Sequence, residues 1–118
     1  MMKWKLWLDD LRNPSVECPE ITDFIWCRDC DQAMYYVKMW GPPFFMALDH
    51  DLGVPVPRYA ISGPGAAPET VMKFLRWLER NYPDSCPDYR IHSANPVGQE
   101  NIQSFMESWK AVVFGGKR

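Results

Sequence analysis

Three short apolar runs in this 118-residue chain stop abruptly on polar, mostly ionisable residues, and that repeated punctuation constrains the fold more than any other feature. Phe44-Phe45-Met46-Ala47-Leu48 runs into Asp49-His50-Asp51-Leu52-Gly53, Trp4-Lys5-Leu6-Trp7-Leu8 into Asp9-Asp10-Leu11-Arg12, and Tyr89-Arg90-Ile91 into His92-Ser93-Ala94-Asn95. Apolar runs this short, closed by turn-forming residues, read as buried strands, and in open α/β sheets ligands bind outside the carboxyl ends of the strands. If the three strands are parallel neighbours, Asp9, Asp10, Asp49, Asp51, His50, His92 and Arg12 converge on one edge of the sheet. Such a convergence means catalysis or metal binding.

The intervening segments supply the rest of an α/β pattern. A further strand is expected over Phe24-Ile25-Trp26-Cys27, after a proline-containing loop from Asn13 to Glu20. Asp29 stands three residues before Gln32, a capping-box spacing. Ala33, Met34, Val37 and Trp40 then recur at helical intervals until Gly41-Pro42-Pro43 stops the helix. Residues 54–67 are rich in proline and glycine and read as a lid or specificity loop. Pro68 and Glu69 suit the first turn of a helix whose stripe is Val71, Phe74, Leu75 and Leu78. Asn95 and Pro96 suit the cap and first residue of the last helix, with a stripe at Ile102, Phe105, Met106, Trp109 and Val113 before Gly115-Gly116. The order strand, strand, helix, strand, helix, strand, helix predicts one domain built on a small parallel four-stranded sheet flanked by helices.

Composition narrows the class. Hydrophobic residues are 47% and charged residues 24% of the chain, as in a globular domain, and the net charge of −2 argues against gripping duplex DNA through many phosphates. No apolar stretch reaches membrane-spanning length and the first residues do not read as a signal peptide, so a soluble cytoplasmic protein is expected. Cys27-Arg28-Asp29-Cys30 matches a bare C-x-x-C pattern. Cys18 and Cys86 form no second close pair for zinc, so the expectation is that Cys27 ends a strand, Cys30 opens a helix, and both stay reduced.

An isolated Asp9-Asp10 pair would be read as a solvated turn held by Asx-type bonds. Adding Asp49 and Asp51 changes that reading: crowded carboxylates repel and raise one another's pKa, and a divalent cation relieves the repulsion at neutral pH. An all-oxygen donor set suits Mg²⁺ or Mn²⁺. His50 and His92 are the only histidines. At the same edge they are candidates for proton transfer, or for metal ligation. Ser93 and Asn95 precede a helix start that suits an anion, with plain capping as the alternative, and Arg12 could clamp a phosphate or pair with an acid.

Leu8-Asp9-Asp10-Leu11-Arg12-Asn13-Pro14, Leu48-Asp49-His50-Asp51-Leu52-Gly53 and Ile91-His92-Ser93-Ala94-Asn95-Pro96-Val97-Gly98 together resemble the signature blocks of the cyclic-phosphate-processing receiver-like domains, relatives of the response-regulator receiver. The resemblance spans Lys5 to about Trp109. It implies a receiver-like, flavodoxin-like three-layer arrangement lacking the first helix and the fifth strand. It also implies that Asp9 and Asp10 are metal ligands, that Asp49 is the receiver-like acid, and that His50, Asp51, His92 and Ser93 are the family's additions. Residues 54–67 are longer than the turn expected there.

The leading functional reading is a metal-dependent phosphoesterase that opens a cyclic phosphodiester, in a small cyclic nucleotide or at an RNA terminal cyclic phosphate. In it Asp49, His50 and His92 are catalytic, Asp9, Asp10, Asp49 and Asp51 bind metal, and Arg12, Ser93 and Asn95 bind substrate. Arg58 and Tyr59 could touch the base or sugar. A second reading is a signalling receiver phosphorylated on Asp49, which needs a lysine after a later strand. None of Lys3, Lys5, Lys38, Lys73, Lys110 or Lys117 follows an expected strand. A third is a binder without turnover, holding a ligand or a protein partner, like small phage-borne modules.

Overall fold

The computed structural model describes residues 3–11, 14, 23–52 and 70–115. Strands β1 (Lys5–Leu8), β2 (Phe24–Cys27), β3 (Phe45–Leu48) and β4 (Asp88–Ile91) form one sheet in the order β2-β1-β3-β4, and every pairing is parallel. Helices α1 (Cys30–Trp40), α2 (Val71–Asn81) and α3 (Pro96–Gly115) follow β2, β3 and β4. Central strands are covered on both faces, so β1 and β3 carry near-continuous apolar sequence. Edge strand β4 alternates exposed and half-buried residues.

Side-chain alternation divides the two faces. Leu6, Leu8, Met46 and Leu48 join the buried residues of all three helices, among them Ala33, Val37, Phe74, Leu75, Leu78, Ile102, Met106 and Trp109, in one core. Trp7 and Ala47 turn the other way and pack with Phe24 and Trp26. The described residues therefore supply the sheet and one helical layer of the three layers expected. No fifth strand occurs among them. The loop from Asn13 to Glu20, on which the loss of a first helix rests, falls almost wholly outside the described residues, as does the loop at 54–67.

The caps set the helix limits. The Asp29 carboxylate accepts from the Gln32 backbone N–H at 2.8 Å, while the Gln32 side chain accepts from the Arg28 backbone N–H at 2.7 Å. Helix α1 ends on Gly41, whose φ of 86° favours glycine and whose N–H reaches the Val37 carbonyl. Helix α2 begins later than the sequence pattern suggests. Thr70 is its N-cap and forms an antiparallel bridge with Asp51, while the Val71 N–H donates to the His50 carbonyl at 2.9 Å. Pro68 and Glu69 lie outside the described residues. Helix α3 starts at Pro96 as expected, and its Trp109 indole donates to the Pro83 carbonyl at 2.8 Å.

Cys27 ends β2, Cys30 opens α1, and both carry thiols rather than a disulfide. Burial, with the nearby Asp29 charge, pushes the Cys27 thiol up to about 12, which suits a packing residue and not a redox nucleophile. Cys18 lies outside the described residues. No described helix is long and apolar enough to cross a membrane.

Leu6 is fully buried between the sheet and the helices. Leu6→Ala is expected to destabilise the fold by about 2–5 kcal/mol in urea unfolding followed by circular dichroism. A loss under about 1 kcal/mol would contradict this packing.

Candidate functional site

The hydrogen-bond ladder runs one residue past the strands. Asp9 N donates to Cys27 O at 3.1 Å, Asp49 N to Leu8 O at 3.0 Å, and His92 N to Leu48 O at 2.9 Å. Because Leu8 pairs with Cys27 and Leu48, and Leu48 with Ile91, the next residues Arg28, Asp9, Asp49 and His92 stand in one row across the sheet. Their backbones are spaced by the strand separation of about 4.8 Å.

Asp9, Asp10 and Asp49 each place a carboxylate oxygen within 4.8 Å of the others. Asp9 is only 1% exposed, a costly position for a carboxylate unless it is well partnered. Its Oδ1 accepts from Leu11 N at 2.9 Å, so the Asx-type turn is present as well as the acidic cluster. Its Oδ2 lies 3.0 Å from His92 Nε2. The His92 ring stacks on Trp7, centroids 4.4 Å apart and planes 15° from parallel, which fixes the imidazole plane. Two residues not anticipated from sequence hold the turn from outside. Trp26 Nε1 donates to the Asp9 carbonyl at 2.8 Å, and Arg28 donates to the Asp10 carbonyl from Nε at 3.1 Å and Nη2 at 2.9 Å. The register was the signal: Arg28 is the residue after β2, as Asp9 is after β1.

The donor set fits a hard divalent cation. Octahedral Mg²⁺ or Mn²⁺ with bonds near 2.1 Å needs opposite ligands about 4.2 Å apart, and three carboxylate oxygens within 4.8 Å reach that with small side-chain adjustments.

His50 and Asp51 form a second constellation. His50 is 7% exposed, and its Nδ1 lies 2.8 Å from Asp51 Oδ1. Asn95 Nδ2 donates to Asp51 Oδ2 at 3.2 Å. Asp51, expected among the metal ligands, therefore stands outside the three-acid group, with both oxygens engaged by His50 and Asn95. Its carboxyl is held below the usual range, first by the His50 hydrogen bond and further by Asn95, against the opposing effect of burial.

Asn95 ties this constellation to α3. Its Oδ1 accepts from the Val97 and Gly98 N–H groups, each at 3.1 Å. Those donors, expected to cradle an anion, are taken by the cap itself. The buried Ser93 hydroxyl accepts from Asn95 N at 3.1 Å, and the Gln99 side-chain amide donates to the Ser93 carbonyl. Gly98 is the other residue not anticipated: a methyl group there would lie 2.5 Å from His50 Cγ. Arg12, Arg58 and Tyr59 lie outside the described residues.

Gly98→Ala is expected to push the His50 ring away from Asp51 at a cost of about 1–3 kcal/mol. The checks are a lowered thermal midpoint and shifted His50 ring-nitrogen resonances in ¹⁵N NMR. Unchanged resonances would show that His50 is not seated against this helix.

The family model described as the cyclic-phosphate processing receiver domain matches residues 4–108 of the chain. No curated protein and no solved structure matches it.

Proposed function

The chain belongs to the cyclic-phosphate processing receiver-domain family, and from that premise we propose that it is a metal-dependent phosphoesterase that opens cyclic phosphodiesters. The observation that carries the reading is the row of strand ends: Asp9, Asp10 and Asp49 gather within 4.8 Å, and two carboxylate-paired imidazoles belong to the same strand-end segments.

In the proposed reaction a water oxygen bonds to phosphorus, one phosphorus–sugar oxygen bond breaks, and the departing oxygen gains a proton while the water loses one. Asp9, Asp10 and Asp49 would hold the cation, which supplies charge stabilisation at the phosphoryl oxygens. His50 is assigned the proton transfer. Its Nδ1 is committed to Asp51, a pairing that fixes the tautomer and leaves Nε2 to exchange a proton at neutral pH. Asp51 remains ionised there, because its carboxyl titrates below the ordinary carboxylate range. His92 is assigned a positioning role: its Nε2 is on Asp9, and Trp7 fixes its plane, so it orients a metal-binding carboxylate. The substrate is a 2′,3′-cyclic phosphate, on an RNA end or a mononucleotide.

Purified protein with Mn²⁺ or Mg²⁺ is expected to open a 2′,3′-cyclic mononucleotide, and chelation or Asp49→Ala to lower the rate at least 100-fold. Activity that survives either treatment would overturn the reading. The two histidines should separate: His50→Gln lowers kcat about 10²–10⁴-fold at saturating metal, whereas His92→Gln weakens metal affinity about 10–100-fold and is partly rescued by excess Mn²⁺. A reversed pattern would exchange their roles.

A further inference from the structure

Helices α1 and α2 lie side by side over the sheet, and between them runs a groove of about 460 Å³ lined by Met34, Lys38, Lys73, Arg76, Trp77 and Arg80. Four cations share one groove on a chain whose net charge is −2. Lys73, Arg76, Trp77 and Arg80 follow the i, i+3, i+4, i+7 spacing of a single helix face. Lys38 reaches across from α1 and places its Nζ 5.9 Å from the centroid of the Trp77 ring.

A solvated helix face accounts for part of this arrangement. Lys38 and Arg80 stand in the last turns of their helices, where the dipole favours cations. Lys73 does not fit that account. It stands in the first turn of α2, which carries no acidic residue and where the dipole disfavours a positive charge. Asp31 of α1 approaches it only at 4.0 Å and is 82% exposed in its side chain.

The groove also starts beside the site. The Lys73 N–H bonds the Thr70 carbonyl at 3.3 Å, and Thr70 is the residue bridged to Asp51. From Lys73 to Arg80 the helix rises about 10 Å, the length of about three stacked nucleotides. Cations along a path with an aromatic ring among them are the elements that hold single-stranded nucleic acid, through phosphate charge and base stacking.

We infer that this groove binds the single-stranded RNA leading to a terminal cyclic phosphate, so that the substrate is an RNA end rather than a small cyclic nucleotide. The inference rests on the phosphoesterase reading for the identity of the terminus, but its test needs no turnover. Fluorescence anisotropy of the full chain with a labelled ten-nucleotide single-stranded RNA bearing a plain 3′-hydroxyl reads the groove directly. The charge reversal Lys73→Glu, Arg76→Glu and Arg80→Glu is expected to weaken binding at least tenfold, and Lys110→Glu, outside the groove, to change it less than twofold. The milder Lys73→Gln, Arg76→Gln and Arg80→Gln variant should retain the native circular dichroism spectrum and lower the slope of log affinity against log salt by about 2. Equal binding by the wild type and the glutamine variant would overturn the inference. So would wild-type binding to a poly-glutamate peptide, or to phosphatidylserine vesicles, as tight as to RNA. Loss of catalysis with RNA binding intact would instead count against the phosphoesterase reading alone.

Discussion

The parallel ladder continues past the last residues of β1, β3 and β4, and the site depends on that continuation. Asp9, Asp49 and His92 are separated by 40 and 43 residues in the chain, and three backbone hydrogen bonds of 2.9–3.1 Å set them in one row. A parallel sheet fixes this spacing without any attraction between the side chains, which for Asp9 and Asp49 would be repulsive. Core packing of Leu8, Leu48 and their neighbours holds the register, because a slip of one residue would turn every apolar side chain of a strand to the wrong face. The fold brings the acids together, and a cation in turn would relieve the strain that the fold creates.

The supports of the site carry structural roles as well. Asn95 caps α3 with its carbonyl oxygen and holds Asp51 with its amide, so the start of the longest described helix and the loop after β3 share one side chain. The His50 carbonyl receives the first N–H of α2, and the His50 ring occupies the space left by the missing side chain of Gly98. Trp26 and Arg28, both at the end of β2, grip the carbonyls of Asp9 and Asp10. Each ligand-bearing turn is thereby tied to a neighbouring strand or helix, which is what preorganised carboxylates require.

Local chemistry made much of this legible in the amino-acid order. Apolar runs ending at Leu8, Leu48 and Ile91 identified strands, Gly41-Pro42-Pro43 stopped α1, and Asn95-Pro96 opened α3, because each signal acts over a few residues. The start of α2 was misplaced for the complementary reason: Thr70 is recruited as N-cap by its bridge to Asp51, nineteen residues earlier. Asp51 was grouped with the other acids because sequence proximity to Asp49 says nothing about which partner its carboxylate finds. Trp7 read simply as a core residue, yet its indole is the surface on which His92 is laid.

The sequence by itself determined the strands, the helices, their parallel class and the set of acids and imidazoles at the strand ends, since periodicity, capping and turn chemistry are local. Only the tertiary structure decided how those groups divide: Asp9, Asp10 and Asp49 together with His92 on Asp9, and His50 with Asp51 and Asn95. It alone brought Lys38 across to Lys73, Arg76 and Arg80. Those pairings depend on strand order and helix packing, which join residues through space at separations where the chain order carries no local signal.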